Sequence, residues 1–186
     1  MRLLVLGGTV FLSRAVAEEA VQRGHEVVCA CRGESGPVPD GATHVAWDRN
    51  DPVPSALVDG TTFDAVVDVA RHPSRVRSAV AVFPAAHWVF VSTISVYTDD
   101  STPHGTVETL PTHEPIHTDE DLASGPHVYG AMKVACEQAV TDGAGSWWWS
   151  GRVSSSGRVT RPAGSATGPT GSPPAARCSC PARRRR

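Results

Sequence analysis

Apolar and polar positions alternate along this chain in short blocks, and the blocks predict elements. Arg2–Leu6 is a brief apolar run and reads as a buried strand. After the Gly7-Gly8 break, Leu12, Ala15, Val16 and Ala20 recur at helical spacing, with Glu18, Glu19 and Arg23 left for water. Gly24 stands where a helix stop is expected. Further strands are predicted at His25–Cys31, Thr43–Trp47, Phe63–Val69 and His87–Val91. A short helix is predicted within Asp51–Asp59, a longer one over Ser74–Ala85, and another from Tyr129 to about Val140. Strands alternating with helices in short units predict an α/β protein with a doubly wound parallel sheet. The strands are near-continuously apolar, as burial on both faces requires. Ligand sites in such sheets lie at the carboxyl ends of the strands.

The first strand, glycine turn and helix form the opening of a dinucleotide-binding unit. The turn exposes backbone N–H groups beside the positive end of a helix, where a pyrophosphate fits. Gly7, Thr9, Val10, Phe11 and Leu12 are the candidates for that contact. At the end of the second strand stands Arg32, with no acid before Glu34. An acid there bonds a ribose 2′-hydroxyl, whereas an arginine accommodates a 2′-phosphate, so NADP(H) is preferred over NAD(H). The plain alternative is that Arg32 is a solvated loop cation.

The stretch GGTVFLSRAV resembles the opening of the extended short-chain dehydrogenase/reductases, the NAD-dependent epimerase/dehydratase family. That family's Gly-x-x-Gly-x-x-Gly turn falls on Gly7, Val10 and Ser13, so only the first glycine is kept. The resemblance implies a Rossmann-type fold. It also implies that Asp48, after the third strand, contacts adenine; a turn or cap role is the alternative. By the same resemblance, Ala70 and Arg71 lie in a loop that passes the cofactor's phosphates.

Tyr129 and Lys133 are four residues apart and share a helical face. A free tyrosine, with a pKa of about 10, is a poor base at neutral pH. A lysine ammonium one turn away favours the phenolate, which can then exchange a proton with a substrate hydroxyl or carbonyl. The segment VFVSTISVY resembles the family's approach to its active site. The resemblance implies that Thr93 is the catalytic hydroxyl, that Ser92 lies beside the nicotinamide, that Tyr129 is the acid/base, and that Lys133 assists it. Lys133 is also the only lysine in the chain.

Charge is divided unevenly. Residues 1–140 carry nine Lys/Arg against eighteen Asp/Glu, and residues 141–186 carry eight Arg against Asp142 alone. The acidic part argues against nucleic acid as the main partner. No run is long enough for a membrane span, and no signal peptide is expected. Five cysteines (Cys29, Cys31, Cys136, Cys178 and Cys180) lack metal-site spacing, so reduced thiols in the cytoplasm are expected. The segment with His104, His113, His117, His127, Asp119, Glu120 and Asp121 is broken by Pro103, Pro111 and Pro115. We expect no metal there, and by resemblance a substrate-facing loop.

The resemblance covers about residues 1–140. The expected organisation is an NAD(P)-binding domain over 1–141, truncated before the substrate-binding region, and a disordered Gly/Ser/Pro/Arg-rich tail over 142–186. Runs such as Trp147–Trp149 and Ser154–Ser156 become apolar in a shifted reading frame, so the tail reads as a possible frameshift product. The implied function is an NAD(P)-dependent oxidoreductase, epimerase or dehydratase. Its substrate would carry a hydroxyl or carbonyl, such as a nucleotide sugar, and the chain as written would be impaired. The alternative is a non-catalytic NADP-binding sensor or scaffold module, since fold alone does not give function. The sequence leaves the oligomeric state open.

Overall fold

The structure is a computed structural model that describes residues 1–99, 101–102 and 105–150. Strands β1 (Arg2–Leu6), β2 (Glu26–Cys31), β3 (Thr43–Ala46), β4 (Ala65–Asp68), β5 (His87–Val91) and β6 (Ser146–Ser150) form a single sheet. Its order is β3-β2-β1-β4-β5-β6, and every pairing is parallel. Helices α1 (Phe11–Gln22), α2 (Pro73–Val82) and α3 (Val128–Gly143) make the crossovers. This is the expected doubly wound, Rossmann-like α/β architecture.

Side-chain alternation along each strand divides the core between the two faces. Val5, Val27, Cys29 and Val67 point to one face and pack with Ala17 and Ala20 of α1. Leu4, Leu6, Val28, Val66, Trp88 and Phe90 point to the other, against Val76, Ala79 and Val80 of α2 and Cys136 and Val140 of α3. The small residues on α1 let it lie close to the sheet. The larger volume on the opposite face is filled by two aromatic strand residues, Trp88 and Phe90, both fully buried. Trp88 also donates its indole N–H to the Phe83 carbonyl at 3.0 Å, so no polar atom is left unmatched.

Two expectations are corrected. The helix predicted within Asp51–Asp59 is only a 3₁₀ turn at Ser55–Leu57, because Pro54 disfavours the helical conformation at Val53 and is itself extended, with ψ of 138°. The expected domain boundary at residue 141 falls inside α3, which continues to Gly143 and is followed by β6. The aromatic run Trp147–Trp149 suits a strand, and its backbone pairs with β5 from His87↔Ser146 to Val91↔Ser150. The Gly, Ser and Arg that follow hid this strand within a tail-like composition. Residues 151–186 of the expected tail lie outside the described residues.

Replacing Trp88 with Ala removes the largest fully buried side chain and leaves a cavity between the sheet and α2. The expected loss is about 3–5 kcal/mol of unfolding free energy. Urea denaturation followed by circular dichroism measures it; a loss under about 1 kcal/mol would contradict the packing described.

Candidate functional site

The carboxyl ends of β1, β4 and β5 are level with one another: Leu6 is in register with Asp68, and Asp68 with Phe90. The residues following these strands therefore share one rim of the sheet. The strand order reverses between β1 and β4, where open α/β sheets bind ligands.

On the β1 side, Gly7 and Gly8 have φ of 135° and 108°. Gly8 also has no room for a side chain, since a Cβ there would lie 2.5 Å from Cys29 Sγ. Thr9 forms the bend that leads into α1. The helix begins with Val10 as its N-cap in an extended conformation, with no side-chain cap and no acid in the first turn. Its positive end is thus left to a ligand or water. Val10, Phe11 and Leu12 are exposed around it, Phe11 to 89%.

Ser13 stands at the third position of the glycine pattern and is buried. Its Oγ donates to the Val10 carbonyl at 2.9 Å and accepts the Gly8 N–H at 3.1 Å. A serine here occupies the space beside Gly7 and engages one N–H of the turn. Val10 needs no glycine because its φ is −119°. Both departures from the glycine pattern are therefore accommodated without backbone strain in the turn.

At the end of β2, Arg32 lies between two carboxylates, Glu34 at 3.2 Å and Asp48 at 3.9 Å. Asp48 Oδ1 also accepts the Asn50 N–H at 2.9 Å, the turn role weighed above for this residue. Arg32 and Asp48 are brought together, with Arg32 more than half exposed.

At the other end of the rim, Lys133 is 2% exposed. Its Nζ donates to the Ala70 carbonyl at 2.9 Å and to the Val91 carbonyl at 2.5 Å, and it lies 4.1 Å from the centre of the Phe90 ring. Burial pushes its pKa below the ordinary lysine value, while Cys136, Asp68 and Glu137 work in the opposite direction. Tyr129, half-buried, is one turn earlier on α3. Thr93 begins a 3₁₀ turn, Ile94–Val96; its Oγ1 accepts the Ser95 N–H and donates to Ser95 Oγ, both at 3.2 Å. Ser92 is buried and turns its hydroxyl inward to the Glu137 carboxylate. Arg71 is exposed in the loop between β4 and α2.

Gly130 decides how closely these parts meet. A Cβ on it would lie 1.8 Å from the Ser95 carbonyl oxygen and 3.0 Å from the His113 ring. Only the absent side chain lets the turn carrying Thr93 press directly onto α3 between Tyr129 and Lys133. The sequence reading passes over Gly130, although a glycine inside a helix start is itself a signal of close approach. It also passes over Asp68 and Glu137, whose charges favour the Lys133 ammonium, and over Arg49, which pairs with Asp68.

The long segment before α3 is tied across the two helices. Asp119 accepts the Ser74 N–H at 3.0 Å and the Ser74 hydroxyl, and so caps α2 from 45 residues away. Arg77 donates to the His117 carbonyl at 2.9 Å, and the Ile116 N–H to the Ala131 carbonyl at 3.2 Å. His72 lies 4.0 Å from Asp119, with its pKa lowered first by burial and then by Arg75. The rings of His113 and His127 are 6.3 Å apart. Among the described residues no cluster of His, Cys, Asp or Glu could hold a metal ion. His104 lies outside them. Cys29, Cys31 and Cys136 are free thiols, and no described helix is long and apolar enough to cross a membrane.

No protein-family model matches the chain, and no curated protein sequence does. Solved structures do match its fold. A UDP-galactose 4-epimerase is 22% identical with a TM-score of 0.58, over 76% of this chain and 51% of that one. A UDP-glucuronic acid 4-epimerase from Bacillus cereus, in complex with NAD, is 16% identical with a TM-score of 0.56, over 76% and 52%. TunA, an NAD-dependent NDP-hexosamine 5,6-dehydratase, is 20% identical with a TM-score of 0.56, over 76% and 49%. These neighbours belong to the epimerase/dehydratase group that the sequence motifs resemble, and the chain has their fold. It spans about half of their length.

Gly130→Ala forces the Ser95 carbonyl away from α3. The expected outcome is a folded but less stable protein, with backbone amide shifts concentrated at residues 93–97 and 129–133. Two-dimensional NMR checks it; unchanged shifts in the 93–97 turn would contradict the contact.

Proposed function

We propose that this chain carries the cofactor-binding half of an NAD(P)-dependent epimerase, dehydratase or related oxidoreductase of the extended short-chain type. The observation that carries this reading is the close approach at Gly130, which presses the turn opened by Thr93 onto the start of α3 between Tyr129 and Lys133. The substrate class we assign is a nucleotide sugar or a similar hydroxyl/carbonyl compound, the class on which the structural neighbours named above act.

In this reading the uncapped start of α1 holds the pyrophosphate, and the nicotinamide end lies toward Lys133. When bound, the dinucleotide supplies or accepts a hydride. Tyr129 takes the proton from a substrate hydroxyl, or returns it to a carbonyl, through its phenolic oxygen. Thr93 Oγ1 hydrogen-bonds the same substrate oxygen and fixes its distance from Tyr129. The Lys133 charge favours the phenolate form, and its burial strengthens that effect because water is excluded.

For the 2′ position the assignment is NADP(H), carried by Arg32. Glu34 and Asp48 share that guanidinium and weigh against a phosphate there. A second reading, a non-catalytic dinucleotide sensor, draws on the Ser13 hydroxyl, which engages the Gly8 N–H that a phosphate would otherwise use.

The chain as written should turn over a UDP-sugar panel little or not at all, whereas a frame-corrected version should be active, and Tyr129→Phe should lower its turnover by about a hundredfold or more while dinucleotide affinity stays near the parent value. Product formation by chromatography and calorimetric titration read the two quantities. Turnover that survives Tyr129→Phe would remove the catalytic assignment, and dinucleotide binding without turnover by either version would favour the sensor. In the same titrations NADP(H) should bind more tightly than NAD(H), and Arg32→Ala should erase the difference. Equal or better NAD(H) affinity that survives Arg32→Ala would end the NADP(H) assignment.

A further inference from the structure

The end of β4 holds a carboxylate that the proposed mechanism does not use. Asp68 is 0% exposed. Arg49 Nη1 donates to both of its oxygens at 2.9 Å, from a side chain that is itself about 10% exposed. The same guanidinium donates through Nη2 to the Arg75 carbonyl in α2 at 2.5 Å and lies over the Trp47 ring at 5.8 Å. One cation therefore ties the β3–β4 connection, the end of β4 and the first half of α2 together. Asp68 Oδ1 also accepts the Ala70 N–H at 2.8 Å, which sets the direction of the chain as it leaves the strand. The Ala70 carbonyl, one peptide unit on, receives Lys133 Nζ.

We propose that Arg49 and Asp68 are positioning residues for Lys133: their buried ion pair fixes the Asp68–Ala70 turn, and that turn holds the ammonium at the carboxyl ends of β4 and β5. The inference rests on the reading of Lys133 as a cofactor-side residue, and it adds two residues that touch neither substrate nor cofactor. The geometry has only one weak link. Val91 can hold the ammonium from β5 by itself, but a single carbonyl leaves the side chain free to swing. The Ala70 carbonyl supplies the second fixed point, and its position depends on the carboxylate beneath it. The pair is also electrostatic in effect. Asp68 faces Lys133 from β4, Cys136 and Glu137 face it from α3, and Arg49 partly neutralises Asp68 from the far side. Ser92 at the end of β5 is hydrogen-bonded to Glu137, and Asp119 acts on the neighbouring Cys136 from the segment before α3.

Because Lys133 is the only lysine, the full chain grown with 15N-lysine gives one side-chain ammonium signal. Its titration reports this residue alone. Asp68→Asn keeps the shape and the acceptor for the Ala70 N–H but removes the charge. The midpoint of Lys133 should then fall by about one pH unit, and affinity for the nicotinamide dinucleotide should fall several-fold. Arg49→Gln leaves the carboxylate unmatched and should move the midpoint the other way. If that variant does not fold, the double variant Arg49→Gln/Asp68→Asn, which removes the ion pair whole, should show a smaller fall than Asp68→Asn, because the opposing Arg49 charge goes with the carboxylate. A Lys133 midpoint unmoved in Asp68→Asn would overturn the proposal, as would parent-like dinucleotide binding in Asp68→Asn while Lys133→Ala loses it. Parent-like binding in Lys133→Ala would instead refute the cofactor-side reading, and the titration would still decide the positioning role.

Discussion

A lysine ammonium removed from water is the constraint around which the rim of this sheet is arranged. An isolated buried charge would lose its proton or stay in solvent. Here two backbone carbonyls, an aromatic face and nearby acidic groups make the buried position tolerable. Those partners come from three pieces of chain: β4 with the loop after it, the end of β5, and α3 itself. The ammonium thus ties α3 to the ends of β4 and β5, a connection the sheet's own hydrogen bonds do not make. The Gly130 contact performs the complementary task on the outer side of α3, holding the turn after β5 against the helix with no intervening side chain.

The β1 turn shows how a glycine pattern can be altered without losing its shape. Its third glycine usually serves close helix–strand packing. Ser13 replaces empty space with a hydroxyl that is satisfied twice, by the Val10 carbonyl and the Gly8 N–H. What changes is the number of donors left for a phosphate. Affinity at such a turn would then depend more on the helix end and less on the glycine backbone.

Periodicity and turn chemistry made most strands and all three helices legible, because each is determined by neighbours within a few residues. Tyr129 and Lys133 were legible for the same reason, being one helical turn apart. The contacts that organise the site are of another kind. Arg49 meets Asp68 across 19 residues, Lys133 meets Ala70 across 63, and Asp119 caps α2 across 45. No local pattern encodes such pairs. Asp68 in particular sits at the end of an apolar strand, where it reads as a turn residue rather than as half of a buried ion pair. Strand β6 was hidden for a compositional reason, since aromatic strand formers are set among residues typical of linkers.

The strand order also bears on how the chain is made. β1 can pair with β2 as soon as about 30 residues are available, but its other edge is completed by β4, which ends at Asp68. Until then Leu3 to Leu6 present an open, apolar edge on what becomes the centre of the sheet. Parallel pairing across such separations is slow, and unpaired apolar edges recruit other chains. During synthesis a central apolar edge therefore stands open between β2 and β4, and a longer interval follows in which β5, ending at Val91, waits for β6 at Ser146.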